Sequence, residues 1–187
     1  MEIKSTLKVS SRAEWRSWLA ENHETETEIW LVSNDSAGEP SMAYLDSVEE
    51  AICFGWIDGI AKRISTVEKA QRFTPRRTRG NWTELNKERA RRLIRLGLMT
   101  AAGKRQLPDL MESFDIPADI LAAIKNDSDA WKHFRELPEL YLRIRIGYIE
   151  EQRKRPEEFN RRLQNFISKT AAGKMFGNWN DGGRLLG

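Results

Sequence analysis

A single cysteine, Cys53, occurs in the 187 residues. One thiol excludes an intramolecular disulfide, and without companion cysteines no finger-like zinc site can be built. Histidine is equally scarce: His23 and His133 lie far apart and have no metal-ligand spacing with other residues. No apolar run approaches the roughly 20 residues needed to span a bilayer. The opening Met1-Glu2-Ile3-Lys4-Ser5-Thr6-Leu7 lacks the long apolar stretch of a signal peptide. A reducing, cytoplasmic setting is the expectation. There is no glycine-rich phosphate loop, serine-nucleophile elbow or metalloprotease helix, so the case for an enzyme is weak and neither cofactor nor metal is expected.

What is present is a foldable chain. Its 40% hydrophobic content is spread along the whole length, and 187 residues suffice to bury a substantial core in one compact domain. Charged residues make up 32% with nearly balanced signs, for a net charge of +3. The balance hides an asymmetry: residues 61–105 hold 14 Lys/Arg against 3 Asp/Glu, a net of +11, which leaves −8 for the remainder. If folding clusters these cations, the surface attracts phosphate, nucleic acid or another anion.

Local patterns predict an α+β fold, with a small, mostly antiparallel sheet and helices in the N-terminal half and a helical C-terminal half. Ser11-Arg12-Ala13-Glu14 is a capping-box pattern, and Trp15, Trp18 and Leu19 share one face of the helix that follows. Residues 28–33 read as a strand stopped by the turn-prone Asn34-Asp35-Ser36-Ala37-Gly38. Asp46-Ser47-Val48-Glu49 repeats the capping logic for a second helix ended by Gly55. Residues 56–64 and 69–74 suit an antiparallel pair closed by Pro75.

From Asn81 onward helical periodicity takes over. Asn81 is a candidate cap with Glu84 at its third position. Ala90, Leu93, Ile94 and Gly97 are expected inside, with Glu84, Glu88, Arg92 and Arg95 on a solvated outer face. Pro117, Asp127 and Pro156 mark further helix starts, and a helix burying Leu140, Tyr141, Ile144 and Tyr148 lies between the last two. The glycines after residue 173 predict fraying, with a flexible tail over 176–187. A boundary between an α+β lobe, 1–80, and a helical lobe, 81–175, is plausible within a single domain of 1–187.

The densest chemistry lies in Cys53-Phe54-Gly55-Trp56-Ile57-Asp58-Gly59, Arg72-Phe73-Thr74-Pro75-Arg76-Arg77 and Gly80-Asn81-Trp82-Thr83-Glu84-Leu85-Asn86. Arg72, Arg76, Arg77 and Arg79 flank a proline-stiffened turn just before a helix start. Guanidinium forks and free helix N–H groups together suit a phosphate or carboxylate. The opposing reading has one arginine on Asp58, another on a carbonyl and the rest solvated. Asp58 suits either a strand-edge ion pair or a general base. Trp56 and Trp82 either line a pocket or belong to the core. The candidate anion site is therefore Trp56, Asp58, Arg72, Arg76, Arg77, Trp82 and Asn86. Cys53, between Ile52 and Phe54, reads as a buried small apolar residue.

These three ordered blocks resemble the bacterial YdeI/OmpD-associated family, also called bacteriocin-protection proteins. Its members show an F-G-W-I-D-G block, an R-F-x-P-R-x block and an S/N-x-W-x-x-x-N helix start. The resemblance extends from Trp15 and Trp30 through Leu96-Gly97 and Ala102-Gly103 to Arg155-Pro156-Glu157 and Arg161-Arg162-Leu163. This chain departs from the family's Lys-x-Pro-Glu-Thr-Arg in reading Arg155-Pro156-Glu157-Glu158-Phe159. The resemblance implies a soluble bacterial protein linked to tolerance of bacteriocins or cationic antimicrobial peptides, with no catalytic residues to carry across. A cytoplasmic binding protein for an anionic ligand or protein partner is the leading expectation. Nucleic-acid binding and a small enzyme acting on an anionic metabolite with Asp58 as base are the alternatives.

Overall fold

The computed structural model describes residues 2–34, 42–77 and 80–187. Of the turn expected over 34–38, residues 35–38 lie outside them, as does Arg79, while Asn34 ends a strand. The chain divides into two compact units, residues 1–81 with 89–108 and residues 82–88 with 109–187. The architecture is α+β, as expected, with a four-stranded mixed sheet and eight α-helices among the described residues. No described helix is long and apolar enough to cross a membrane.

The first unit is built on the sheet, in strand order β1-β2-β4-β3. The strands β2 (Ile29–Asn34), β3 (Trp56–Arg63) and β4 (Glu68–Pro75) pair antiparallel, with Trp30 opposite Arg72 and Asp58 opposite Phe73. The register slips between Asp58 and Ala61, a β-bulge containing Gly59 and Ile60. The three-residue β1 (Thr6–Lys8), which the sequence pattern did not predict, adds a parallel edge to β2.

Helix α1 (Arg12–Asn22) is capped as read: the Ser11 hydroxyl accepts from the Glu14 N–H. Its Trp15 and Leu19 are fully buried. Trp15 stacks on Trp18 at 5.3 Å between ring centres and tilts against Phe73 at 5.4 Å, and its indole N–H donates to the Ser47 carbonyl at 3.0 Å. Fully burying each such aromatic side chain is worth roughly 2–3 kcal/mol.

Helix α2 spans Tyr44–Cys53 and so begins two residues before the Asp46 cap read from the sequence. Ala43 occupies the cap position and offers no side-chain hydrogen bond. Asp46 accepts instead from Arg12 Nη1 at 3.3 Å, a tertiary contact that outcompetes the local one. The next turn carries two acids, Glu49 and Glu50, each 1% exposed. Glu50 accepts from Arg12 Nε at 2.5 Å and Arg16 Nη1 at 2.6 Å, and Glu49 accepts from Arg12 Nη1 and Arg92 Nη1, both at 2.8 Å. A buried carboxylate is tolerated where guanidinium groups satisfy its lone pairs, as here.

Helix α3 (Glu84–Arg95) is capped by Thr83, whose hydroxyl accepts from the Asn86 N–H at 3.1 Å, rather than by Asn81. Ala90 and Leu93 are buried as predicted, but Ile94 is 40% exposed. Arg92, read as solvated, is the partner of Glu49 described above. The short helix α4 (Ala101–Arg105) follows a Thr100 cap.

The second unit packs α5 (Ala118–Lys125), α6 (Ser128–Phe134), α7 (Glu139–Glu150) and α8 (Pro156–Ala171) around Ile120, Ile124, Phe134, Tyr141, Ile146 and Phe166. Asp127 caps α6 as read, accepting from the Ala130 N–H at 2.9 Å, and Pro156 opens α8. The α8 stripe of Phe159, Leu163, Phe166 and Ile167 is buried as predicted. On α7, Tyr141 and Ile144 turn inward with Ile146 and Ile149, whereas Tyr148, expected inside, is 40% exposed. Beyond Gly173, Trp179 packs edge-on against Tyr141 at 5.4 Å, Leu185 is buried, and a 3-10 turn spans Arg184–Leu186.

Candidate functional site

The first and second sequence blocks meet at one cleft of about 120 Å³ in the first unit. Its floor is the α2–β3 junction. Gly55 there has φ +75°, the left-handed conformation that glycine adopts without strain, and an added Cβ would lie 2.9 Å from Gln106 Cγ. Its carbonyl accepts the Arg76 N–H at 2.8 Å, which stitches the start of the F-G-W block to the end of the R-F-T-P-R block.

One wall is α4. A Cβ on Gly103 would fall 2.2 Å from the Cys53 carbonyl oxygen, so only glycine lets α4 approach α2 this closely. Thr100 fastens the contact, donating its hydroxyl to that same carbonyl at 2.6 Å. This docking places Ala102, Arg105 and Gln106 along the cleft.

The other walls are Pro75 with Arg76 and the end of α1 with His23 and Glu24. The His23 ring packs on Phe54 at 5.3 Å, and its Nδ1 lies 2.8 Å from the Leu19 carbonyl. A carbonyl only accepts, so Nδ1 carries the proton.

Arg76 is the chemical centre. Only 5% of it is exposed, and Nη1 donates to the Asn81 carbonyl at 3.0 Å. Burial pushes its guanidinium down to about 10, against the opposing pull of Asp58, so it remains charged at neutral pH.

Arg105 supplies a second, exposed guanidinium, 3.5 Å from Glu24. Neither residue has a nucleophile beside it that is ready to react. The Cys53 thiol is fully buried and pushed up to about 11, first by burial and then by the charge of Glu50, so it stays protonated. No cluster of metal-ligating side chains occurs among the described residues.

The seven residues singled out in the sequence are distributed unevenly. Trp56 and Arg76 line the cleft, with Trp56 1% exposed and its indole N–H donating to the His23 carbonyl at 3.2 Å. Trp56 therefore belongs to the core and presents an edge. Asp58 is outside the lining, accepts from the Tyr44 hydroxyl at 2.6 Å and acts on Arg76 through charge. Arg72 is committed to Glu28, with Nε donating at 2.5 Å, while Glu28 also accepts from the Trp30 indole at 3.0 Å. Arg77 is exposed beside the cleft's arginine. Trp82 and Asn86 belong to the second unit.

The sequence reading missed His23, Glu24, Arg105 and Gln106. The Thr100 cap and Gly103 were the available signals for α4. That α4 docks on α2 is a tertiary fact with no local signature.

The basic run 61–105 is in part neutralised where it folds. Arg72 faces Glu28, Arg92 faces Glu49, Lys87 faces Glu84 at 2.7 Å and Arg105 faces Glu24.

Comparison with known proteins divides the chain similarly. Residues 7–106 match a domain family of unknown function (DUF8412), and residues 113–173 match the family described as bacteriocin-protection, YdeI or OmpD-associated. The cleft and all three blocks that suggested the second family lie inside the first match. The divergent Arg155-Pro156-Glu157-Glu158-Phe159 segment lies inside the second. No curated protein and no solved structure matches the chain.

Proposed function

We propose, on the premise that the chain belongs to the domain family of unknown function DUF8412 and carries a bacteriocin-protection, YdeI or OmpD-associated segment, that it is a binding protein for a small anion. The ligand sits between Arg76 and Arg105. One observation carries this reading: a charged, desolvated guanidinium lines a cleft that a second cation also lines. A phosphate or carboxylate there gains charge-assisted hydrogen bonds of the kind worth about twice a neutral one.

The name of the family matched at 113–173 supplies the setting, protection against bacteriocins. A cleft lined with arginine repels a cationic peptide, so protection works through the bound anion or through a protein partner rather than through capture of the peptide there. The paired cations of the basic run lend less support to nucleic-acid binding than the bare charge count does.

The test is a thermal-shift and calorimetric titration of the chain with inorganic phosphate, pyrophosphate, succinate and citrate. A ligand at 100 times its Kd stabilises by about 2.7 kcal/mol. Arg105→Ala, a change at an exposed side chain, should keep the fold and weaken the preferred anion about 5- to 10-fold. Equal binding to wild type and variant, or no stabilisation by any anion, would overturn the proposal.

A further inference from the structure

A second cation is held in a way that no hydrogen bond or ion pair explains. Arg145 projects from α7 in the second unit, where its guanidinium lies 4.0 Å from the Phe176 ring centre and 5.0 Å from that of Tyr148. Tyr148 in turn carries Arg162 on its ring at 3.6 Å, and Arg162 is satisfied by the Tyr148 carbonyl at 2.6 Å and Glu158 at 2.7 Å. Among the described residues Arg145 has no such partner: its Nε is buried without an acceptor, and no carboxylate lies within ion-pair reach of its guanidinium.

The setting is built around that group. Gly177 has φ +76°, and a Cβ there would stand 2.8 Å from Arg145 Nη1, so the backbone yields its side-chain space to the guanidinium. The pocket in front of it measures about 230 Å³, with Leu85, Ile144, Tyr148 and Trp179 as its apolar surfaces. Two acids also line it. Glu84 is taken by Lys87 at 2.7 Å, and Glu151 is pushed toward its neutral form by burial. Rings hold a guanidinium by their electron-rich faces and leave its N–H edges and its charge available.

We infer that this pocket binds a small aromatic carboxylate, its acid group on the Arg145 fork and its ring among Leu85, Tyr148 and Trp179. The volume fits: an apolar cavity of about 150 Å³ accepts a benzene ring, which leaves space here for the carboxylate. The site lies in the second unit and is independent of the Arg76 cleft.

The experiment titrates the full chain with benzoate and with benzamide, its uncharged counterpart, by calorimetry and by ligand-observed NMR. Benzoate should bind at least 10-fold more tightly than benzamide. Arg145→Gln should lose at least 10-fold in benzoate affinity. If Arg145→Gln fails to fold, Trp179→Leu, which removes a ring that lines this pocket and not the Arg76 cleft, should still weaken benzoate several-fold, and an unaffected Trp179→Leu overturns the inference. Equal affinity for the two probes, an unaffected Arg145→Gln, or no benzoate binding at 10-fold the concentration that saturates typical fragments, about 10 mM, overturns the inference.

Discussion

The two units keep their arginines in different company. In the first, Arg12, Arg16 and Arg92 converge on the buried carboxylates of Glu49 and Glu50, and Arg72 on Glu28. In the second, Arg143, Arg145, Arg153 and Arg162 lie over Phe114, Phe176, Phe159 and Tyr148. The rule has overlaps, since Arg143 also pairs with Glu84 and Glu139, Arg153 with Asp119 and Arg162 with Glu158, and in the first unit Arg16 also lies over Phe54. The difference is nonetheless instructive. A carboxylate cancels the charge it holds, whereas a ring holds a cation in place without cancelling it. Much of the charge in the first unit is tied to carboxylates, and charge in the second stays available where rings alone hold it, as at Arg145.

Breaking the carboxylate arrangement should have the largest effect. Glu50→Ala leaves Arg12 and Arg16 without their shared acceptor and should cost about 3–5 kcal/mol in urea denaturation, the range for removing one member of a buried pair. A loss below 1 kcal/mol would mean that water already serves these arginines.

A titration sharpens the same point, because Glu50 is also one cause of the raised Cys53 thiol. The folded value of about 11 exceeds the unfolded value of roughly 8.5, so the folded state keeps this proton longer. The contribution is full below about pH 8.5 and is lost as pH rises through about 11, a change on the order of 3 kcal/mol. Cys53→Ala should flatten that part of the stability profile, which thermal unfolding at pH 8, 9, 10 and 11 would follow.

The ring arrangement should break more gently. Phe176→Leu keeps an apolar side chain but removes the face under Arg145, at a cost of about 1 kcal/mol in the same denaturation assay. A loss as large as that of Glu50→Ala would show that the contrast between the units is not one of charge cancellation.

How far the sequence carried depends on the range of the interactions involved. Ser11, Asp127 and Pro156 act on their own helix starts, and the α8 stripe is a periodicity, so all of these were legible. The first unit's helix α2 was misjudged at its start because Asp46 answers to Arg12 rather than to its own backbone. Glu49 reads only as part of a capping pattern and Glu50 not at all, because nothing local announces their guanidinium partners, which are 34 to 43 residues distant. Strand β1 is too short to have a pattern and exists through its pairing with Trp30, Leu31 and Val32.

At the cleft, the F-G-W and R-F-T-P-R blocks pointed to Trp56 and Arg76. Arg105 and His23 come from α4 and α1 and needed the tertiary fold. Arg145 was passed over altogether. A lone arginine on a helix has no motif, and Tyr148, its neighbour one turn on, was assigned to the core.

The bulge between Asp58 and Ala61 has a consequence for solubility. Strand β3 ends the sheet, and there it is interrupted by Gly59 and Ile60 and carries Lys62 and Arg63. A kinked, positively charged border offers a stranger's strand neither a straight ladder of hydrogen bonds nor a neutral surface. Ile60, half exposed at that border, can therefore stand in water without recruiting other molecules into a growing sheet.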